Sequence, residues 1–257
     1  MANIKISGIV IAENNMGDYD KMLTILTPGF GKISCVAKGA RRPQSALLAG
    51  TQLFCFAEYM MYKGTTTYHI NSCETIEMFY NLRTDLDKLK YAIHINKIIQ
   101  DITQEGQNCY KILQLFLNTL YIISETETNM DFILSVFKFR LLCILGFTPI
   151  VLNCASCKKQ EDLNKFSIRD NGFKCETCGK LDKSSINMSE STKNAIKFVV
   201  SAPAKKVFSF NLTKYKSEWC LIILVINYVS IGTLYGHLTA SLTVESKYEQ
   251  YWLTVLK

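Results

Sequence analysis

Two cysteine pairs, Cys154-Ala-Ser-Cys157 and Cys175-Glu-Thr-Cys178, stand 17 residues apart in a polar stretch with no long apolar run. A segment of that composition cannot bury enough surface to fold unaided and needs a staple. The spacing supplies one. Two thiolates three residues apart on a tight turn face the same ion, and a hairpin-length insert brings the second pair round to close a tetrahedron. One structural Zn2+ is therefore expected on Cys154, Cys157, Cys175 and Cys178. Four thiolates leave no position for a reacting water, which points to a structural role. A redox C-x-x-C would need a following helix in a βαβ context, and none is legible. Lys158, Lys159 and Lys174 flank the pairs and would offset the thiolate charge, and Gly179 would ease the second turn. The other six cysteines sit among apolar neighbours and read as small core residues.

Upstream, the pattern is that of short strands. Residues 4–12, 22–27, 32–39, 51–64 and 65–77 are β-rich and separated by turn signals. Five strands in about 80 residues is the count of an OB-fold barrel. From residue 81 the period changes to three-to-four. Helices are expected from Leu82 onward, over Tyr110–Ser124, over Asp131–Leu145 (stopped by Gly146 and Pro149), from Ser189 to Val200, and over 217–236. The fold class is α+β: a barrel domain over 1–80, then a helical domain over 81–257 with the zinc module at 151–185. The uncharged run Trp219 to Gly236 is at the lower edge of a membrane span, but polar residues and glycines dilute it, and a buried helix is the better reading. No secretory leader is legible at the start, and ten cysteines then suggest a reducing, cytoplasmic setting.

The formal net charge is +7, which favours polyanionic partners, and residues 191–257 alone carry 8 Lys/Arg against 3 Asp/Glu. A second concentration is Lys38-Gly-Ala-Arg41-Arg42-Pro43, an exposed basic loop after the third strand. OB-type barrels hold single strands with such loops and with aromatic side chains. Lys21, Lys32, Lys38, Arg41 and Arg42 are the candidate DNA-binding residues. Phe54, Phe56, Tyr59, Tyr62 and Tyr68 are available to stack, although strand aromatics are more often core. In the C-terminal region Lys193, Lys197, Lys205 and Lys206 would receive an acidic peptide tail, an alternative to direct DNA contact. Catalysis finds no support. His69, His94 and His237 are isolated, Pro28-Gly-Phe-Gly-Lys32 lacks the leading glycine and the Ser/Thr of a phosphate loop, and no nucleophile has a partner.

The run Gly17-Asp-Tyr-Asp-Lys21-Met-Leu-Thr-Ile-Leu-Thr-Pro28, then Gly31-Lys-Ile33 and Val36-Ala-Lys-Gly-Ala-Arg-Arg42, resembles the opening of the RecO family of DNA repair proteins. Tyr62-Lys-Gly64, Leu82-Arg-x-Asp-Leu86 and Leu145-Gly-Phe-Thr-Pro149, leading into the first cysteine pair, fit as well. The resemblance runs from about residue 8 to 180, and the stretch Ser241 to Tyr248 departs from the basic ending usual in that family. It implies an OB-fold, a helical domain and binding to single- and double-stranded DNA. It also implies strand annealing and partnership with RecR. With RecR, such a protein loads the RecA recombinase on strands covered by single-strand binding protein, whose C-terminal tail is acidic.

Overall fold

The computed structural model describes residues 3–210. Strands β1 (Asn3–Met16), β2 (Asp20–Thr27), β3 (Gly31–Ala37), β4 (Phe56–Lys63) and β5 (Tyr68–Glu77) close into a barrel in the order β1-β2-β3-β5-β4. Every pairing is antiparallel except β3 with β5, which run parallel through Cys35 and Tyr68 and through Val36 and His69. This is the five-stranded OB arrangement expected. β1 serves two neighbours. Its first half pairs with β4, its second half with β2, and a bulge between Val10 and Ala12 accommodates the change. Inward residues include Ile6, Val10, Leu23, Ile25, Ile33, Cys35, Tyr59, Met61 and Ile70. Each such large apolar side chain contributes about 1.5–3 kcal/mol on burial.

The expected strand over 51–64 starts later, at Phe56. Phe54 and Cys55 are both buried, which consecutive residues of a strand with one solvent face do not achieve. The chain instead turns. Phe54 takes a left-handed φ of 64°, and its N–H and the Cys55 carbonyl bond the two polar groups of Val10.

Helix α1 (Leu86–Ile102) begins after Asp85, whose carboxylate accepts the N–H groups of Asp87 and Lys88. The helix expected from Leu82 thus starts later, and Leu82 belongs to a separate 3-10 turn, Tyr80–Arg83. The bulge leaves the Ile11 carbonyl outside the ladder, and it accepts the side-chain amides of Asn96 at 2.8 Å and Gln100 at 2.6 Å. The irregularity in β1 therefore becomes the attachment point of α1. Helices α2 (Tyr110–Glu125) and α3 (Met130–Ile144) follow, and Gly146 ends the run at φ 103°.

The described residues divide into two compact units: 3–137 with 203–208, and 138–202 with 209–210. The second unit carries β6 (Lys165–Ser167), β7 (Gly172–Lys174), the short α4 (Glu176–Lys180), β8 (Ser185–Asn187) and α5 (Glu190–Ser201). Its sheet has the order β7-β6-β8, with Phe166 and Phe173 edge to face. Ser189 caps α5 through the Thr192 N–H, and Arg140 donates to the carbonyls of Val199, Val200 and Ala202 at its other end. Cys35, Cys55 and Cys109 are buried as expected, whereas Cys73 and Cys143 are half-buried. Among the described residues no helix is long and apolar enough to cross a membrane. The expected helix over 217–236 lies outside them.

Candidate metal centre and nucleic-acid interface

The turn at Cys154–Cys157 is closed by the Lys158 N–H on the Cys154 carbonyl, with Lys158 at a left-handed φ of 65°. The turn at Cys175–Cys178 is the start of α4, where the Gly179 N–H reaches the Cys175 carbonyl. Gly179 takes an ordinary φ, so its expected role is corrected from turn freedom to space: a Cβ there would come within 2.2 Å of the Lys165 side chain. β6 and β7 carry the chain from one turn to the other. All four Sγ atoms consequently lie within 4.8 Å of one another, and those of Cys157 and Cys175 are 3.6 Å apart. A Zn–S length of about 2.3 Å gives a tetrahedron with edges of about 3.8 Å. The set fits a zinc ion.

The acid–base chemistry of the thiols agrees with that. Burial opposes ionisation of Cys154, but the N–H groups of Cys157, Cys175 and Ser156 outweigh it and bring the thiol down to about 6. Hydrogen bonding to Cys175 and Cys157 pushes Cys178 up to about 12. Hydrogen bonds shared among the four thiols thus shift two of them in opposite directions. A dication is what makes four adjacent thiolates compatible.

Lys174 does not act as the counter-charge expected of it. It is buried, and its ammonium donates to Asp170 and Asp182, each at 2.6 Å. Asp182 also accepts Ser167 Oγ at 2.5 Å, Ser184 Oγ at 2.7 Å and the Ser184 N–H at 2.9 Å. Those bonds, Lys174 first, hold its carboxyl well below the usual range. A buried charge so fully partnered ties β7 to the turn after α4.

In the barrel unit, residues 38–42 fold back on the β1–β2 turn. Asp20 accepts the Gly39 N–H at 2.7 Å, and the Tyr19 carbonyl accepts the Arg41 N–H at 2.9 Å. Lys38, Arg41 and Arg42 stay exposed. The Arg42 guanidinium lies 5.3 Å from the centre of the Tyr19 ring, which is itself 51% exposed. Sequence reasoning missed Tyr19. Its signal was an aromatic residue placed in a polar turn, where no core requires it.

The other two candidates in this unit are engaged within the fold. Lys21 is buried, bonded to Glu13 at 2.5 Å and to the Thr51 carbonyl at 3.2 Å. Lys32 donates to the Gln100 carbonyl at 2.8 Å and is half-buried. Of the aromatics, Phe54 and Tyr59 belong to the interior, whereas Phe56, Tyr62 and Tyr68 are half-exposed. In the second unit Lys193 is buried, paired with Glu190 at 2.5 Å and with Asn164 at 3.0 Å, and Lys197 lies 5.9 Å from the Phe173 ring centre. Lys205 and Lys206 are exposed, in the first unit.

Models of the "Recombination protein O" N-terminal and C-terminal domains match residues 1–79 and 83–225 of this chain. The chain belongs to the RecO family. It is similar to the DNA repair protein RecO of Acetivibrio thermocellus, 42% identical over 83% of this chain and 86% of the relative. It is also similar to the RecO proteins of Alkaliphilus metalliredigens, 32% identical over 84% and 88%, and Clostridium perfringens, 28% identical over 83% and 87%. The family resemblance drawn from the basic loop and the cysteine approach is thus borne out along most of the chain.

Proposed function

We propose that this RecO protein is a cytoplasmic, non-enzymatic DNA-binding mediator of recombinational repair. The observation that carries the reading is the basic loop itself. Three exposed cations, Lys38, Arg41 and Arg42, stand on a loop bonded to the neighbouring turn, with Tyr19 beside them. Such a loop meets phosphate as an ordered array, and the adjacent ring offers a face to an unstacked base. Lys21, paired with Ala37 next to the loop, is held by Glu13 and the Thr51 carbonyl, and Lys32, at the other end of β3, is held by the Gln100 carbonyl.

The loop binds the backbone of single- and double-stranded DNA and reduces the repulsion between two strands, so complementary strands anneal more often. With RecR, the protein loads RecA on strands covered by single-strand binding protein. The acidic tail of that binding protein would meet the exposed Lys205 and Lys206. Lys193 serves α5 through Glu190 and Asn164. Cys154, Cys157, Cys175 and Cys178 hold one structural Zn2+, which supplies fixed tetrahedral geometry and no reacting position.

The test is annealing of complementary oligonucleotides precoated with single-strand binding protein, with and without RecR. Acceleration that falls on replacing Arg41 and Arg42 with Ala supports the reading. Unchanged annealing by the folded double variant contradicts it.

A further inference from the structure

The outer face of the barrel carries an aromatic feature that the basic loop does not use. Tyr62 on β4 and His69 on β5 are cross-strand partners, and their rings stack at 5.0 Å between centroids and 16° between planes. Side chains alternate along a strand. Met61 and Ile70, the neighbours of these two residues, belong to the barrel core, so Tyr62 and His69 face outward, half-exposed.

The same ladder ties the pair to the basic loop. His69 is the parallel partner of Val36, which is buried but does not belong to the barrel-interior cluster that holds Cys35 and Ala37. Lys38 follows two residues on, exposed. With strands about 4.8 Å apart and a rise of about 3.3 Å per residue, the backbone of His69 lies roughly 8 Å from that of Lys38.

The His69 ring is held by shape. Its Nδ1 is buried with no hydrogen-bond partner among the described residues. Gly64 presses against it: a Cβ at Gly64 would come within 2.9 Å of the ring carbon Cδ2 and of Nε2. An imidazole kept flat on a tyrosine, at the cost of an unpaired nitrogen, is a feature that strand pairing alone does not require. A preset aromatic surface beside phosphate-binding cations is what sequence-tolerant recognition of unstacked bases uses.

We propose that the Tyr62–His69 pair is a second base-stacking platform for single-stranded nucleic acid, continuing the path that starts at Tyr19 and Arg42. The inference rests on the proposed binding by the basic loop. It adds a preference: a duplex keeps its base faces inside, so the platform serves single strands alone.

The experiment titrates the full chain with a fluorescent oligo-dT strand and with a hairpin duplex, across a salt series. Tyr62→Ala and His69→Ala are expected to weaken oligo-dT binding about five- to a hundred-fold, with the salt slope and the duplex affinity unchanged. His69→Phe keeps the stack and should bind oligo-dT like the parent, which guards against a folding defect in the alanine variants. Equal losses on both DNAs, or oligo-dT affinity unchanged in folded Tyr62→Ala and His69→Ala, overturn the platform and leave the pair as a stabilising cross-strand contact. Arg41→Ala/Arg42→Ala is run alongside. If that variant loses affinity while the platform variants do not, the platform fails and the loop stands. If the parent binds neither DNA, both fail.

Discussion

The Asp20 carboxylate accepts the backbone N–H of Gly39 at 2.7 Å, joining the β1–β2 turn to the basic loop. An acid next to a DNA-binding surface repels phosphate, so simple electrostatics expects its removal to help. The structure expects the opposite of Asp20→Ala, because the loop loses its anchor. Anisotropy titrations should show weaker oligonucleotide binding by Asp20→Ala, while Asp20→Asn, which keeps an acceptor and drops the charge, binds at least as well as the parent. Tighter binding by Asp20→Ala would mean that loop order does not matter.

Much of this region was legible in the sequence, and the missing part has a definite cause. Alternation and turn signals located all five strands, because one buried face leaves a period of two. They did not separate the lysines by use. Lys21 and Lys38 look alike in a charge count, yet Lys21 points toward Glu13 across the β1–β2 ladder and Lys38 lies past the end of β3. The turn at 51–55 was hidden for a similar reason: Phe54 and Cys55 read as strand residues until Val10 is seen to take both of their backbone groups. The gathering of the four cysteines was legible, because C-x2-C spacing is itself a geometric statement.

Stripping the metal should unfold the cysteine module first. Zinc binding to such sites contributes roughly 10–16 kcal/mol at neutral pH. A colorimetric chelator should release one zinc per chain, and limited proteolysis should then cut between residues 151 and 185 while the barrel stays protected. Cys175→Ser should give the same cleavage without chelator. A chain purified without zinc that resists the protease there would contradict the assignment.

Beneath that module, Lys174→Met should cost about 3–5 kcal/mol, since it leaves buried Asp182 without its cation. The pH dependence follows from the direction of the Asp182 shift. Its folded value is depressed below an unfolded value of about 3.9, so its contribution is complete above that pH and is lost as pH falls through the lower folded value. Asp182→Asn should therefore melt below the parent by a constant margin from pH 8 to 5, and the margin should shrink as the solution is taken below about pH 4. A margin that grows on acidification would reverse the sign and refute the pairing.

Gly31 sits in a run that superficially resembles a phosphate loop. Its φ is +66°, and a Cβ there would come within 1.9 Å of the Gln104 carbonyl oxygen. Its work is to let β3 pass close to the chain after α1. Gly31→Ala should lower stability by about 2 kcal/mol or more in chemical denaturation, with nucleotide binding absent from parent and variant alike. A variant as stable as the parent would show that this approach is loose.

Phosphate binding by the basic loop is tested most directly by the salt dependence of single-strand affinity in the parent and in Arg41→Ala/Arg42→Ala. Each lost phosphate contact should flatten the plot of log K against log salt by about 0.7. The double variant should show a slope smaller by about 1.4 and weaker binding throughout. Identical slopes and affinities in two folded, zinc-loaded proteins would contradict phosphate binding by the loop.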